Sequence, residues 1–187
     1  NYSYSHLQTS VDNQQTVLAK QGYELHANSN NVKVKHYRAD NGIFAEKAFR
    51  NEVSNANQTI SYCAVGAHHQ NRLVERYIGW LTWGGRTNLL HGQRRWPDAI
   101  GTILWPYAWK DYERRYNHFH LNNDGTSPAM RFANSAVKES LKNYHPFGCP
   151  IFVLDARLQN AGGPMPKWDP RAWVGVYLGH SPCHAGS

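Results

Sequence analysis

Val32-Lys33-Val34-Lys35-His36-Tyr37 alternates apolar and polar residues and runs directly into Arg38-Ala39-Asp40-Asn41-Gly42. Alternation puts one set of side chains on each face of an extended chain, so residues 32–37 predict a half-buried strand that delivers Asp40 to its end. Downstream, residues 43–53 have helical periodicity with Phe44, Ala48 and Phe49 on one face, and residues 59–65 read as a second strand. Gly66-Ala67-His68-His69-Gln70 then forms a loop leading into a helix that begins at Asn71. On that helix Val74, Ile78, Leu81 and Leu89 approximate an apolar stripe, whereas Asn71, Glu75, Thr82 and Arg86 fall nearer a polar face. An aspartate thus stands at a strand end and a glutamate on the first turns of a helix. Phosphoryl transfer at a pair of metal ions needs carboxylates converging from separate elements in this way. The plainer reading is a turn at Asp-Asn-Gly and a solvated charge at Glu75.

Outward from this core, residues 2–7 read as a strand and residues 11–27 as a helix, with Asp12 near its start and Asn28 to Asn31 as its exit. Pro97 suits a helix start, and residues 99–117 are helical in pattern, although Pro106 is expected to break or kink them. Residues 122–127 form a polar turn. Residues 147–154 and 173–178 read as strands separated by the loop Gly162-Gly163-Pro164-Met165-Pro166. A boundary near Leu141 therefore divides residues 1–141 from a small β-rich segment, residues 142–187.

The 187 residues suffice for a hydrophobic core, and no stretch is long and apolar enough to suggest a membrane span or a signal peptide, so an intracellular soluble protein is expected. A formal charge of +7, a pI near 9.4 and 11 histidines suit a polyanionic partner, with a merely soluble basic surface as the plainer reading. Cys63, Cys149 and Cys183 lack CxxC spacing and read as small hydrophobes in a reducing compartment. Adjacent His68 and His69 point apart and need partners elsewhere to bind zinc. Arg94-Arg95 and Arg114-Arg115 suit phosphate contact or a solvated helix face. The spacing of Trp96, Trp105, Trp109 and Tyr112 favours a packed core or subunit face over a base-stacking platform. Packing is likewise the safer reading of Trp168, Arg171 and Trp173, with nucleic-acid contact as the alternative.

Taken in order, Ala39-Asp40-Asn41-Gly42, Gly66-Ala67-His68-His69-Gln70-Asn71, Glu75-Arg76 and Arg86-Thr87-Asn88-Leu89-Leu90-His91 resemble the catalytic core of a copia-type retrotransposon integrase. The resemblance continues through Trp96-Pro97-Asp98-Ala99, Trp105-Pro106-Tyr107-Ala108, Thr126-Ser127-Pro128 and Phe147-Gly148-Cys149. It ends with Trp168-Asp169-Pro170-Arg171-Ala172 and Tyr177-Leu178-Gly179-His180-Ser181, so nearly the whole chain is covered.

The resemblance implies a ribonuclease H-like fold, a mixed sheet flanked by helices, with Mg²⁺ (or Mn²⁺) held by two aspartates and a glutamate. Asp40 matches the second aspartate and Glu75 the glutamate, with 34 residues between them. The strand at Tyr2 corresponds to the family's third, so the first two strands, the first aspartate and the preceding zinc module are expected to be absent. Asp12 is a helix cap rather than a substitute. Arg72 stands where the family commonly has glycine. Gly79, Trp80, Trp83 and Gly84 replace ordinary helix formers at a cost of about 1 kcal/mol per glycine, which reads as drift without selection for activity.

An intact relative would use its metal ions to trim an element's DNA end and join it to target DNA. Asn41, Gln70, Asn71, Arg76 and Arg86 are the candidate nucleic-acid contacts; helix capping is the plain alternative for Asn71 and an ion pair for Arg76. The expectation is a polyprotein fragment, inactive as it stands, homo-oligomeric and nuclear in an intact version, with no membrane partner. A nucleic-acid-binding remnant or a non-functional relic is the alternative.

Overall fold

The computed structural model describes residues 1–64, 71–136, 138–159 and 165–181. The chain is mixed α/β, and its contacts divide it into two units. The first comprises Asn1–Thr82 with Glu113–Glu139, and the second Trp83–Tyr112 with Ser140–Ser187. Trp83–Tyr112 thus groups with the C-terminal residues.

In the first unit, helix α1 spans Asn13–Ser29. Asp12 caps it, its side chain accepting the Gln15 N–H at 2.8 Å, as the sequence suggests. The exit uses Asn31 at φ 58°, a left-handed position that asparagine tolerates. Strand β1 (His36–Ala39), helix α2 (Lys47–Asn55) and strand β2 (Thr59–Tyr62) then form a βαβ unit. β1 and β2 are parallel, in the register His36↔Thr59 to Ala39↔Tyr62. Parallel neighbours need a crossover, and α2 supplies it while burying Phe49 and Val53. Tyr37 and Phe44 meet the Phe49 ring edge-on at 6.0 and 5.2 Å.

Pairing begins four residues later than the alternation predicts. Residues 32–35 keep the alternating exposure but have no strand beside them. The first ladder bond there is Thr59 N–H to the Lys35 carbonyl at 3.1 Å.

Residues 2–7 do not form the expected strand. A side chain of helix α4 (Trp105–Phe119) does the work of a neighbouring strand. Asn117 accepts the Ser3 N–H at 2.9 Å and donates to the Ser3 carbonyl at 2.6 Å, satisfying both peptide groups. The hydroxyls of Ser3 and Ser5 donate to the buried Glu113 carboxylate at 3.2 and 2.8 Å. The Tyr2 ring stacks on Phe132 of the short helix α5 (Pro128–Phe132) at 4.3 Å.

The second unit centres on buried Leu89, Ile100, Ala108 and Phe147, with Leu104, Val176 and Leu178 packed against them. Leu89 belongs to α3 (Arg72–Arg95), a helix of 24 residues. Pro97 lies in a turn rather than at a helix start. Pro106 neither breaks nor kinks α4; it occupies the second position, where its missing N–H has no helical partner to lose. Strands β3 (Pro150–Leu154) and β4 (Ala172–Val176) pair antiparallel, from Pro150↔Val176 to Leu154↔Ala172, with the short helix α6 (Ala156–Gln159) following β3. Both predicted C-terminal strands are therefore present in shortened form. Among the described residues no helix is long and apolar enough to cross a membrane.

The glycines of α3 acquire a physical reason that drift does not supply. A Cβ at Gly84 would fall 2.1 Å from the Tyr112 ring. One at Gly85 would lie 3.0 Å from the Trp109 Cα, and one at Gly92 would lie 3.2 Å from Ile100 Cγ2. These positions let α4 and the following chain approach the α3 backbone closely. Gly79 meets nothing within 4 Å, so packing explains only the other three.

Candidate functional site

Asp40 follows the last residue of β1 and is exposed. Its Oδ1 accepts the Gly42 N–H at 3.3 Å, which closes a tight Asx turn. A Cβ on Gly42 would sit 3.3 Å from that same oxygen, a tight approach that the Asp40 side chain would have to yield to. The turn is fastened from both sides. Asn41 Nδ2 donates to the Cys63 carbonyl at 2.8 Å, and the Tyr62 hydroxyl donates to the Phe44 carbonyl at 2.8 Å.

Cys63 is the joint of this arrangement. It is buried, as the sequence suggests. Its N–H donates to the Ala39 carbonyl at 3.0 Å, continuing the ladder past β2. Its thiol donates to Asn71 Oδ1 at 2.9 Å, at the entry to α3. Asn41 and Asn71 are therefore brought together through one cysteine, and their side-chain bonds hold the ends of β1 and β2 and the start of α3. Sequence reasoning missed Cys63 because its partners lie 22 and 8 residues away and no motif links them.

Glu75 occupies the first turn of α3 and is exposed. A carboxylate there is favoured by the helix dipole. Arg72 and Arg76 are also exposed and stand four residues apart, one turn along the same face. Arg86 is exposed on the part of α3 that belongs to the second unit. Gln70, His68 and His69 lie outside the described residues. Val74 and Ile78, expected to face a core, are exposed. The buried face of α3 runs instead through Leu81, Gly84, Gly85, Asn88, Leu89 and Gly92. Of the basic pairs, Arg114 is committed to an ion pair with Glu139. Arg94 and Arg95 are exposed in the last turn of α3, where cations complement the helix dipole.

Carboxylate oxygens suit Mg²⁺ or Mn²⁺. Among the described residues, however, no group of three or more His, Cys, Asp or Glu side chains is arranged to hold a metal ion.

The chain matches no protein-family model and no curated protein. Among solved structures it is similar to a chain of the cryo-EM structure of the simian T-cell lymphotropic virus intasome in complex with PP2A regulatory subunit B56 gamma. The TM-score is 0.53 at 14% identity, over 90% of this chain and 55% of that one. The fold is integrase-like. This chain spans about half the length of the intasome chain it matches.

Proposed function

We propose that this chain is a DNA-binding, integrase-like domain of the copia type, part of a retroelement polyprotein. The observation that carries the reading is the pair Arg72 and Arg76, exposed on consecutive turns beside Glu75 at the start of α3. In an integrase-like fold, two guanidiniums one turn apart suit successive phosphates of a DNA backbone, and the net charge of +7 favours the encounter. The ordered motifs from Asp40 to Ser181 support the copia assignment. The parallel β1–β2 pair with its α2 crossover supports a ribonuclease H-like arrangement.

The intasome in the similar structure is an assembly, and by analogy the functional form is a multimer on element-end and target DNA, in the nucleus when that DNA is the host's. Asp40 and Glu75 are the positions for Mg²⁺ or Mn²⁺. DNA binding is the activity assigned to the chain as it stands, and end processing and joining are the activities of a completed site.

The test is DNA affinity measured across a salt series. Neutralising two phosphates gives a slope of log K against log[salt] near −1.8, and Arg72→Gln or Arg76→Gln each lowers its magnitude by about 0.9. Salt-independent binding, or slopes untouched by both substitutions, refutes the reading.

A further inference from the structure

The β1–β2 pair carries a serine, a histidine and a threonine in hydrogen-bonded order. Register partners in a parallel pair point to the same side, so His36, Arg38, Thr59 and Ser61 share one face. The opposite face carries Tyr37, whose ring meets Phe49 of α2. His36, Arg38 and Thr59 are exposed and Ser61 is half-buried. The His36 imidazole spans the two β2 residues: its Nδ1 lies 2.7 Å from Thr59 Oγ1 and its Nε2 2.9 Å from Ser61 Oγ. Held at both nitrogens, the ring has its plane and position set.

Counting donors assigns the protons. The Thr59 hydroxyl has a single hydrogen, which it donates to the Lys35 carbonyl in a long bond of 3.5 Å. Thr59 Oγ1 then accepts from His36, which puts the ring proton on Nδ1 and leaves the Nε2 lone pair to accept the Ser61 hydroxyl. The other tautomer draws the Thr59 hydrogen to the ring and makes one bond fewer. The chain of donation therefore runs from Ser61 to His36, from His36 to Thr59, and from Thr59 to the Lys35 carbonyl. A serine hydroxyl bonded to the unprotonated nitrogen of an imidazole, with the other nitrogen oriented by a third group, is the arrangement that activates serine as a nucleophile.

We infer that Ser61 is an acyl-accepting nucleophile for small esters arriving from solvent, with His36 as its general base and Thr59 as a positioning residue. The Ser61 oxygen bonds to the acyl carbon, the ester C–O bond breaks, and the proton taken by His36 Nε2 leaves on the departing alcohol. Water then attacks the acyl group, its proton passes to His36, and the acid departs as Ser61 regains its hydrogen. Arg38, the register partner of Ser61 on the same face, is the cation assigned to the oxyanion of each tetrahedral intermediate. A long acyl chain needs a concave apolar pocket, whereas an exposed face suits short acyl groups with reactive leaving groups. Neither Arg72 nor Arg76 takes part, so this activity goes beyond the DNA-binding reading and does not depend on it.

The experiment incubates the full chain with p-nitrophenyl acetate and reads nitrophenolate release together with the acetylated residue by peptide mass spectrometry. Acetyl-Ser61 is expected, and Ser61→Ala removes both the adduct and the enhanced release. His36→Gln slows acetylation about a hundredfold, the share that a positioned base supplies. Thr59→Val slows it with the circular dichroism spectrum unchanged, and Thr59→Ser restores the rate, because the serine hydroxyl keeps the ring oriented. Acetylation found only on lysine or tyrosine side chains overturns the inference, and this reading needs no variant to fold. Release as fast in Ser61→Ala or in His36→Gln as in the wild type also overturns it, as does an undiminished rate in Thr59→Val. In each of those cases the bonds to His36 serve only to fasten β1 to β2, and the roles of Arg72 and Arg76 stand or fall on the salt series alone.

Discussion

Between Gly84 and Gly92 the α3 helix turns its smallest residues inward, and ring, backbone and methyl groups close on them at contact distance. Between Arg72 and Gly79 the same helix leaves Leu73, Val74 and Ile78 exposed and has a glycine with nothing near it. One stretch is shaped by packing and the other by the surface it presents. A glycine inside a helix therefore carries no fixed meaning: its propensity cost is constant at about 1 kcal/mol, and what crosses it decides whether that cost is offset.

The largest effect expected from this contrast is at Gly85. An added Cβ would sit 3.0 Å from the Trp109 Cα and 3.2 Å from its nitrogen, and backbone cannot swing aside. Overpacking of about 1–3 kcal/mol, set against about 1 kcal/mol of gained helix propensity, predicts that Gly85→Ala destabilises by up to about 2 kcal/mol. Urea denaturation reads this directly. Gly84→Ala should destabilise as well, because its Cβ meets the Tyr112 ring at Cζ, on the axis of ring rotation, so the clash is relieved only if the whole side chain leaves its place. A stabilised Gly85→Ala would break the comparison.

Next is the joint at the other end. Removing the Asn71 side chain leaves the buried Cys63 thiol without the acceptor it has at 2.9 Å. Asn71→Ala is expected to cost about 1 kcal/mol. A double-mutant cycle with Cys63→Ala should show coupling of at least about 0.5 kcal/mol. Strict additivity would mean that the start of α3 is held by something else. Gly79→Ala then supplies the opposite sign within the same helix. With open space around the new methyl group, stability should rise by up to about 1 kcal/mol. A loss there would show that Gly79 has a role its surroundings do not reveal.

The α/β character, the helices and the delivery of Asp40 by a strand were legible because periodicity is local. So was the Asp12 cap, whose partner is three residues away. The failures share a cause. The pairing partner of residues 32–35 and the side chains that replace a strand beside residues 2–7 lie far off in sequence. So do the Tyr112 ring over Gly84 and the Trp109 backbone over Gly85. At the site, the sequence placed Asp40 at a strand end and Glu75 in a first helical turn, yet it gave no sign that Asn41 and Asn71 are both bonded to Cys63. Nothing in the spacing of Asn41, Cys63 and Asn71 announces their bonds. The exposure of Trp168 and Trp173, against the expectation that they pack, was equally hidden, since an indole on a strand looks the same whether or not another layer covers it.

Glu75→Gln should change stability least, by about 0.5 kcal/mol or less, because the side chain is solvated and loses only a favourable interaction with the helix dipole. Its value lies in the DNA readout. Glu75 stands between Arg72 and Arg76, so as a bystander its charge repels the phosphates those arginines attract, and the glutamine variant binds DNA slightly more tightly with or without Mn²⁺. If Glu75 instead belongs to a divalent-ion position completed when DNA is present, Mn²⁺ tightens binding by the wild-type chain and not by the variant, since the substrate's phosphates share the ion with the carboxylate. A Mn²⁺ response retained in Glu75→Gln but lost in Asp40→Asn would put the ion at the strand end alone. The exposed end of α3 would then be a phosphate clamp, and the contrast with its packed end would be one of binding surface against scaffold.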